Sequence, residues 1–351
     1  MIYLDNAATT KPKYFAKKYK RFWLNTNTAY SEREQRAYIQ AEETIRECLH
    51  ITGGFIFPTR SATDSVEWLT KFFDKDTCVC NNSVHNAVFD NCAFFGVNYI
   101  KESDSYLLFH SYTNQVTGYK EPIPPFFRFF RSINERRKCD IFRAYDLTAA
   151  IGKVKINKNI TKSADALFWS GHKFGCEKGI GGIWVSDRLF EYMKGKPSYK
   201  NLHGLLHGTV ALPSFMAMAE AMKHAVKNID RKERKYKYLY NTFINALRKN
   251  QIPFLELNFE IPKTYSINAV EIKDVSAKAL QNYLAQKEIY IGTGGSACDE
   301  AEDFRILKRY NVSDESARSF IRISFNEHNK KGEVKRLAKE IKKFKKEYCA
   351  C

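Results

Sequence analysis

The chain has 351 residues, and its 57 Lys and Arg against 39 Asp and Glu give a formal net charge of +18. Hydrophobic residues make up 44% of the chain and charged residues 27%, a composition that excludes a disordered or fibrous protein. No run reaches the roughly 18 apolar residues that a membrane span needs, so no membrane association is expected. The first ten residues lack the basic and apolar segments of a signal peptide, and we expect a cytoplasmic protein.

The nine cysteines predict reduced thiols rather than a disulfide framework, because their number is odd and their spacing is irregular. Cys78 and Cys80 are separated by one residue, which is closer than in a zinc knuckle, so no metal site is expected. Cys298 follows the glycine-rich residues 292–295 in a polar loop and is predicted to be an exposed, reactive thiolate. For Cys176, both a reactive thiolate and a buried, unreactive thiol remain open. Buried, unreactive thiols are predicted at Cys48, Cys78, Cys80, Cys92 and Cys139.

Short β-rich runs alternate with helical patterns through the middle of the chain. Each run is followed by a polar or glycine-bearing loop, and the runs are residues 77–80, 105–109, 139–145, 166–169 and 182–185. The alternation predicts an α/β fold with a mostly parallel central sheet flanked by helices. Ligands bind such sheets at the carboxyl ends of the strands, so these loops are where we expect a functional site.

The last part of the chain carries much of the positive charge. Residues 213–248 have a helical pattern, and an extended stretch follows them. Within residues 330–346, the apolar positions recur at spacings of three and four, which predicts a helix with one buried face and basic exposed faces. Together with residues 11–21, this segment suits an anionic partner such as nucleic acid, yet no nucleic-acid-binding motif accompanies it. We predict a large domain over 12–250 and a small one formed by 1–11 with 251–351.

Ser170, His172 and Lys173 follow directly on the apolar run 166–169. A lysine that a buried strand delivers into a cleft is partly desolvated, which lowers its pKa and favours the neutral amine. Such an amine forms a Schiff base with a carbonyl cofactor such as pyridoxal phosphate. The alternative is an ordinary surface lysine. Asp146 favours the cofactor, because it ends another apolar run, where an unpaired carboxylate is costly and a pyridinium nitrogen would keep it ionised.

Three further segments contain candidate residues, and the first two of them also have an ordinary interpretation. Ala62 and Thr63 lie at the predicted start of a helix, where backbone N–H groups bind an anion or are simply capped. His85 follows the run 77–80 and either stacks on an aromatic cofactor or is structural. Arg322 stands in an alternating, strand-like run and is a candidate bidentate clamp for a carboxylate.

Taken together, these features resemble the class-V aminotransferase group of pyridoxal-phosphate enzymes, and most closely the cysteine desulfurases of the NifS/IscS type. The resemblance runs in family order from residues 2–10 to Arg322. Its most specific matches are residues 170–173 with 178–181, and residues 295–298. It implies the fold of type I pyridoxal-phosphate-dependent transferases, with a smaller α+β domain beside the large one.

The resemblance also implies a role for each candidate residue. Lys173 would be the Schiff-base lysine, Asp146 the partner of the pyridine nitrogen, and His85 the residue that stacks on the ring and aids proton transfer. Cys298 would be the nucleophile that accepts sulfur. Further contacts to the cofactor would come from Ala62, Thr63, Ser170, His172, Asn114, Gln115 and, from the neighbouring subunit of a homodimer, Thr209. Substrate contacts would come from Arg322, Asn27 and Ala8.

This chain departs from the family pattern at several positions. Ala149 replaces a glutamine that contacts the phenolic oxygen of the cofactor, and Ser61 replaces a glycine of the phosphate loop. Gln115 stands where an asparagine is usual, and Cys176 with Glu177 stands where Gly-Pro is common. The loss of the glutamine contact is expected to change the electronic properties of the cofactor. The catalytic efficiency, and even the identity of the substrate, are expected to change with them.

The expected activity is that of a pyridoxal-phosphate-dependent cysteine desulfurase, which converts L-cysteine to L-alanine and leaves a persulfide on Cys298 for an acceptor. The acceptor is expected to be an acidic protein, with tRNA as an option that no motif supports. The open alternatives on the same fold are a selenocysteine lyase, an aminotransferase and a β-eliminating lyase. A non-enzymatic basic scaffold is a further alternative, and Ala149 is the residue that suggests it.

Overall fold

The computed structural model describes residues 1–26, 30–94, 102–120, 125–196, 209–257, 259–295 and 304–348. The chain forms two units, which we name after Lys173 and Arg322. The lysine unit comprises Lys11–Tyr112 and Pro122–Lys227. The arginine unit comprises Met1–Thr10, Thr113–Glu121 and Asn228–Cys351.

The strands are numbered in chain order. They are β1 (Ile2–Tyr3), β2 (Phe55–Thr59), β3 (Cys78–Cys80), β4 (Ala93–Phe94), β5 (Ser105–Ser111), β6 (Asp140–Asp146), β7 (Ala166–Ser170), β8 (Gly181–Val185), β9 (Phe254–Glu256), β10 (Ile267–Ile272), β11 (Ile289–Tyr290), β12 (Gly292–Thr293) and β13 (Phe320–Ser324). The five runs that the sequence predicts as strands correspond to β3, β5, β6, β7 and β8, with end shifts of one or two residues.

The helices are numbered in the same way. They are α1 (Glu32–Leu49), α2 (Ala62–Thr70), α3 (Asn86–Phe89), α4 (Pro125–Arg137), α5 (Lys158–Ser163), α6 (Asp187–Lys194), α7 (Leu212–Val226), α8 (Ile229–Lys249), α9 (Ala277–Gln286), α10 (Arg305–Lys308), α11 (Asp314–Ala317) and α12 (Lys331–Tyr348). Among the described residues, no helix is both long and apolar enough to cross a membrane.

The lysine unit is built on a seven-stranded sheet of order β2-β8-β7-β6-β5-β3-β4. Strand β8 runs antiparallel to β2 and β7, and the pairs from β7 to β4 are parallel. Successive residues of a strand face opposite sides. Accordingly, Leu108 packs in a cluster with α1 and α7, whereas Leu107 packs in a second cluster with α2 and α6. Helices therefore cover both faces, as the sequence predicts.

The arginine unit contains an antiparallel sheet of order β12-β13-β10-β9 and a parallel pair, β1-β11. Helices α8, α9 and α12 share one apolar cluster with these strands. The predicted basic helix is α12, and its apolar positions Val334, Leu337, Ile341 and Phe344 are all buried.

The region predicted as one helical stretch, 213–248, is two helices. Lys227 and Asn228 separate α7 from α8, and Asn228 has a left-handed backbone with φ of 56°. The two helices pack in different cores: Phe215 of α7 lies in a cluster of the lysine unit and Phe243 of α8 in the cluster with α12. The units thus divide at Lys227 and not near residue 250, where the sequence predicts the boundary.

Candidate active site

The loop that carries Lys173 joins two antiparallel strands and is closed at its base. Ser170 of β7 is paired with Gly181 of β8, and the Gly171 N–H donates to the Ile180 carbonyl at 3.0 Å. A Cβ on Gly171 would lie 3.0 Å from both Cys176 Cβ and the Ile180 oxygen. This close packing fixes the 3₁₀ turn Gly171–Lys173 directly at the carboxyl end of β7.

A second segment of the lysine unit supports this loop from outside. The N–H groups of Lys13 and Tyr14 donate to the Gly175 carbonyl at 2.8 and 3.2 Å, and the Glu177 N–H donates to the Tyr14 carbonyl at 3.0 Å. The Glu177 carboxylate in turn accepts from the Ala16 N–H at 2.9 Å. The lysine loop is therefore hydrogen-bonded to a chain segment about 160 positions earlier.

Asp146 ends β6, the strand next to β7, so its carboxylate and Lys173 lie at the same edge of the sheet. The Thr148 N–H donates to Asp146 Oδ1 at 2.8 Å. Burial raises the pKa of Asp146, while hydrogen bonding by Thr148 and the electrostatic influence of His85 and Lys173 oppose the rise. The structure thus brings three of the sequence-predicted residues, Asp146, His85 and Lys173, into one electrostatic neighbourhood.

His85 has a structural task as well. It is the N-cap of α3, and its Nδ1 accepts a hydrogen bond from the Ala87 N–H at 3.1 Å. That bond fixes Nδ1 as the acceptor and orients the ring. The ordinary and the functional interpretations of His85 are therefore compatible, because the cap holds the ring where it interacts with Asp146.

The amines around Lys173 include one that was not predicted from the sequence. Lys153 is 5% exposed, and its Nζ donates to the Lys173 carbonyl at 2.9 Å. Burial, followed by the charge of Lys173, lowers the pKa of Lys153 to about 7. Burial and the charges of Lys173, Lys153 and Lys178 lower the pKa of His172 to about 4. The position of a lysine within the mostly apolar residues 149–154 is the sequence pattern that could have indicated this buried amine.

An anion cradle lies at the start of α2. Ser61 caps this helix by accepting from the Asp64 N–H at 3.1 Å, and the first N–H groups of a helix have no partner within it. These groups belong to Ala62, which is half-buried, and Thr63, which is exposed. A Cβ on Gly181 would lie 2.9 Å from the Ser61 backbone. Since Gly181 pairs with Ser170, the buried Ser170 hydroxyl lies on a strand beside this cradle.

These groups fit pyridoxal phosphate. The lysine unit offers an amine for its aldehyde, a carboxylate beside β7 for its pyridine nitrogen, and a helix start with a serine hydroxyl for its phosphate. Thr209, which the resemblance assigns to the phosphate of a neighbouring subunit, is exposed and lines a cavity of about 320 Å³ together with Thr59 and Arg60 of the loop before α2.

Arg322 lies in β13 of the arginine unit and is only 2% exposed. Its Nη2 donates to Asp5 Oδ1 at 2.9 Å, and its Nη1 donates to the Gln115 carbonyl at 3.3 Å. The Tyr3 hydroxyl donates to the Asp5 and Thr9 carbonyls at 3.0 and 2.8 Å, and burial together with the Asp5 charge raises the pKa of Tyr3 to about 12. The arginine was predicted from the sequence, whereas Asp5 was not.

Two other predicted residues contact the same segments. The Ala8 N–H donates to the Asp5 carbonyl at 3.1 Å, in the turn that presents the carboxylate. Asn114 is buried, and its Oδ1 accepts from the N–H groups of Val116 and Thr117 at 2.9 and 3.0 Å. Its side-chain oxygen thus shapes its own turn and directs the Gln115 carbonyl to Arg322.

The cysteines divide clearly. Cys298 and also Asn27 lie outside the described residues. Cys176 is 1% exposed, and burial raises the pKa of its thiol to about 12, so it is an unreactive thiol. The residues predicted as buried are buried, apart from Cys48, which is half-buried. Within the described part of the chain, no group of His, Cys, Asp and Glu side chains could hold a metal ion.

The chain is similar to known proteins over most of its length. The model of the family "aminotransferase class-V" matches residues 98–337. Cysteine desulfurase IscS of Buchnera aphidicola subsp. Schizaphis graminum is 26% identical, with 97% of this chain and 92% of the relative covered. The IscS of Buchnera aphidicola subsp. Baizongia pistaciae is 25% identical, with 95% and 90% covered. A solved NifS-like protein has a TM-score of 0.78 at 22% identity, covers 98% of both chains, and confirms the expected fold.

Proposed function

Because the chain belongs to the class-V aminotransferase family, we propose that it is a pyridoxal-phosphate-dependent cysteine desulfurase. The observation that carries the proposal is the electrostatic interaction of Asp146 with His85 and Lys173, together with the position of Asp146 and Lys173 at the carboxyl ends of the neighbouring strands β6 and β7. The full-length similarity to proteins named cysteine desulfurase supports the choice of substrate.

The cofactor would be held by residues of the lysine unit. Lys173 would anchor its aldehyde, Asp146 its pyridine nitrogen, and the start of α2 with Ser170 its phosphate. When bound, pyridoxal phosphate supplies an electron sink for a carbanion at the substrate Cα. His172, whose low pKa keeps it neutral at pH 7, would donate a hydrogen bond without adding charge.

The protein side chains would divide the remaining work. The amine of Lys173, in its unprotonated form, would remove the Cα proton of L-cysteine and later return a proton. Arg322 would bind the substrate carboxylate as a permanent cation with a planar set of donors. Asn27 and Ala8 would complete the substrate contacts.

Cys298 would take the sulfur. Its thiolate would attack the substrate sulfur, so that an S–S bond forms on Cys298 while the carbon–sulfur bond of the substrate breaks. The electron pair of that bond would stay on the substrate carbon, which would take up a proton, and L-alanine would leave. Cys176 is unsuited to this step, because burial keeps its thiol protonated. The persulfide would then pass to an acceptor.

The assembly proposed is a cytoplasmic homodimer in which Thr209 reaches the phosphate bound by the other subunit. The exposed position of Thr209 supports this. The acceptor would be an acidic protein that docks on the basic helices α8 and α12, which carry seven Lys and Arg against two acids and eight against three. Such docking weakens as salt rises, whereas salt-insensitive binding would leave these charges a role in solubility only.

Ala149 favours a second candidate, a different class-V enzyme such as a selenocysteine lyase, an aminotransferase or a β-eliminating lyase. The residue stands where the resemblance expects a glutamine that tunes the cofactor. The products separate the candidates: alanine with a persulfide indicates desulfuration, whereas pyruvate with free sulfide indicates β-elimination.

The decisive experiment incubates the cofactor-loaded protein with ³⁵S-labelled L-cysteine and maps the labelled residue. We expect label on Cys298 in the wild type and in Cys176→Ala, and no stable label in Cys298→Ala. Alanine formation at an undiminished rate by Cys298→Ala, with reductant present, would contradict the role of Cys298. Absence of alanine from the wild-type reaction would contradict the proposed activity itself.

A further inference from the structure

The hydrogen bonds of Arg322 leave part of its guanidinium unused. A guanidinium carries five N–H donors and stays charged in proteins. Asp5 accepts from Nη2 and the Gln115 carbonyl from Nη1, while Nε is buried and has no hydrogen-bond partner among the residues that the structure describes. A buried donor without a partner is unfavourable. The guanidinium is therefore held through Nη1 and Nη2, while the hydrogen-bonding capacity of Nε is unused.

Asp5 is well placed to hold Arg322, because its segment is bonded to the strand that carries the arginine. Asp5 forms a parallel bridge with Ser324, two residues after Arg322. The Ala7 N–H donates to Ser324 Oγ at 2.8 Å, and Asn6 Nδ2 donates to the Ser324 carbonyl at 3.0 Å. The position of the carboxylate is thus fixed relative to β13, so the ion pair can orient the guanidinium.

Gly292 provides the space for this ion pair. It is the β12 residue paired with Arg322 in the sheet. A Cβ at this position would lie 2.9 Å from Nε and Nη2 of Arg322 and 3.0 Å from Asp5 Oδ1. All three atoms belong to side-chain ends, so an added methyl group would displace the guanidinium and not the backbone.

We propose that Asp5 and Gly292 are positioning residues that make the site selective for a substrate with a free carboxylate. Asp5 accepts from Nη2 and holds the guanidinium, and Gly292 leaves room for it. Nε and the remaining N–H groups are thereby left for the two oxygens of the substrate carboxylate. This inference rests on the proposed function, in which Arg322 binds the carboxylate of an amino acid.

The test compares L-cysteine with L-cysteine methyl ester, which lacks the anionic carboxylate, using the full chain loaded with cofactor. Asp5→Ala removes the acceptor of a charge-assisted hydrogen bond, and we expect KM for L-cysteine to rise about tenfold, which corresponds to about 1.4 kcal/mol, with kcat little changed. KM for the ester is expected to stay nearly constant. Asp5→Asn keeps an acceptor oxygen, so its effect is expected to be several-fold smaller.

Two further variants make the test decisive. Gly292→Ala removes no polar group, and we expect it to raise KM for L-cysteine and not for the ester. Asp274→Asn removes an exposed acid of the same unit, whose side chain is 82% exposed, and serves as the charge control. If Asp5→Ala fails to fold in a thermal melt, Gly292→Ala alone decides. The proposal would be overturned if Asp5→Ala and Asp5→Asn raised KM for L-cysteine and for the ester by the same factor. It would also be overturned if Gly292→Ala left the ratio of the two KM values unchanged.

Failure of the proposed activity remains distinguishable from failure of this inference. If the wild type forms no alanine, the binding of L-alanine and of L-alanine methyl ester is followed by the absorbance of the bound cofactor. Asp5→Ala should then weaken the binding of L-alanine about tenfold relative to the ester. Equal weakening for both would show that Asp5 has only a structural role.

Discussion

Arg322 in the arginine unit and Lys153 in the lysine unit are both buried cations, 2% and 5% exposed. Arg322 faces a carboxylate, that of Asp5, at 2.9 Å. Lys153 donates to a main-chain carbonyl, and its pKa falls to about 7. Its neighbourhood also contains His172, whose pKa falls to about 4.

The difference follows from the chemistry of the two side chains. A guanidinium cannot release its proton in a protein, so a buried arginine requires an anion, whereas a buried amine or imidazole can become neutral. The arginine unit therefore offers a permanent charge that suits anion binding. The lysine unit offers an imidazole that is neutral at pH 7 and, in Lys153, an amine whose pKa of about 7 suits proton exchange.

The largest expected effect comes from placing a permanent cation at position 173. Lys173→Arg replaces an amine that can lose its proton with a permanent cation, so we expect alanine formation from L-cysteine to fall about 10³-fold or more. Chromatographic measurement of alanine checks this, with the exposed Lys162→Arg of the same unit as the control. Retention of more than about a tenth of the wild-type rate would remove the basis of the comparison.

The reverse exchange at position 322 is expected to have the next largest effect. Arg322→Lys retains the charge but loses the planar set of donors, so we expect KM for L-cysteine to rise about 10- to 100-fold, with a smaller change in kcat. Steady-state kinetics measure both constants, and Arg318→Lys is a matched exposed control. A loss confined to kcat would argue against carboxylate binding by Arg322.

The buried lysine should make stability depend on pH. The pKa of Lys153 is about 7 in the folded chain against an ordinary value of 10.5, so between these values the unfolded chain binds more protons. Stability then rises with pH across that window, by up to about 1.4 kcal/mol per pH unit for one proton. Urea unfolding at pH 7.5 and 9 should show this rise in the wild type and in the exposed control Lys155→Met. Lys153→Met should lack it, and an identical pH dependence in all three proteins would refute the assignment.

The smallest effect is expected at an exposed ion pair. Arg131 and Glu135 of α4 are 75% and 63% exposed, with Nε and Oε1 3.3 Å apart. Such i,i+4 pairs contribute about 0.3–0.5 kcal/mol, so Arg131→Ala should hardly shift the urea midpoint. A midpoint shift as large as the one measured for Asp5→Ala, which breaks the buried pair of Asp5 and Arg322, would show that burial does not separate the two kinds of pair.

Most of the large sheet could be predicted from the sequence, because its inner strands are buried on both faces and give continuous apolar runs. The antiparallel direction of β8 could not, since a run of residues such as Gly181–Val185 carries no sign of its direction. Short strands such as β1 and β12 are defined by their partners. The break at Asn228 escaped because both neighbouring segments are good helix formers and the change of packing partner is a tertiary property.

Part of the candidate site could be predicted from the sequence, because several of its residues follow predicted strands. Lys173, Asp146 and His85 each follow a predicted strand, and parallel strands bring their carboxyl ends together. Asp5 was missed because its partner Arg322 is 317 positions away and no local pattern links them. Lys153 was missed because its role depends on the carbonyl of Lys173, a group that every residue has.

The backbone bonds between the lysine loop and the segment from Lys13 to Ala16 have a consequence for the integrity of the chain. A protease cut beside Tyr14 would separate Asp5 and Ala8 from the rest of the chain and would also detach one wall of the loop. The segment from Lys13 to Ala16 should therefore resist limited digestion more strongly when a bound cofactor orders the loop that carries Lys173. A cleavage pattern on a gel would then report the state of a lysine that lies about 160 residues further along the chain.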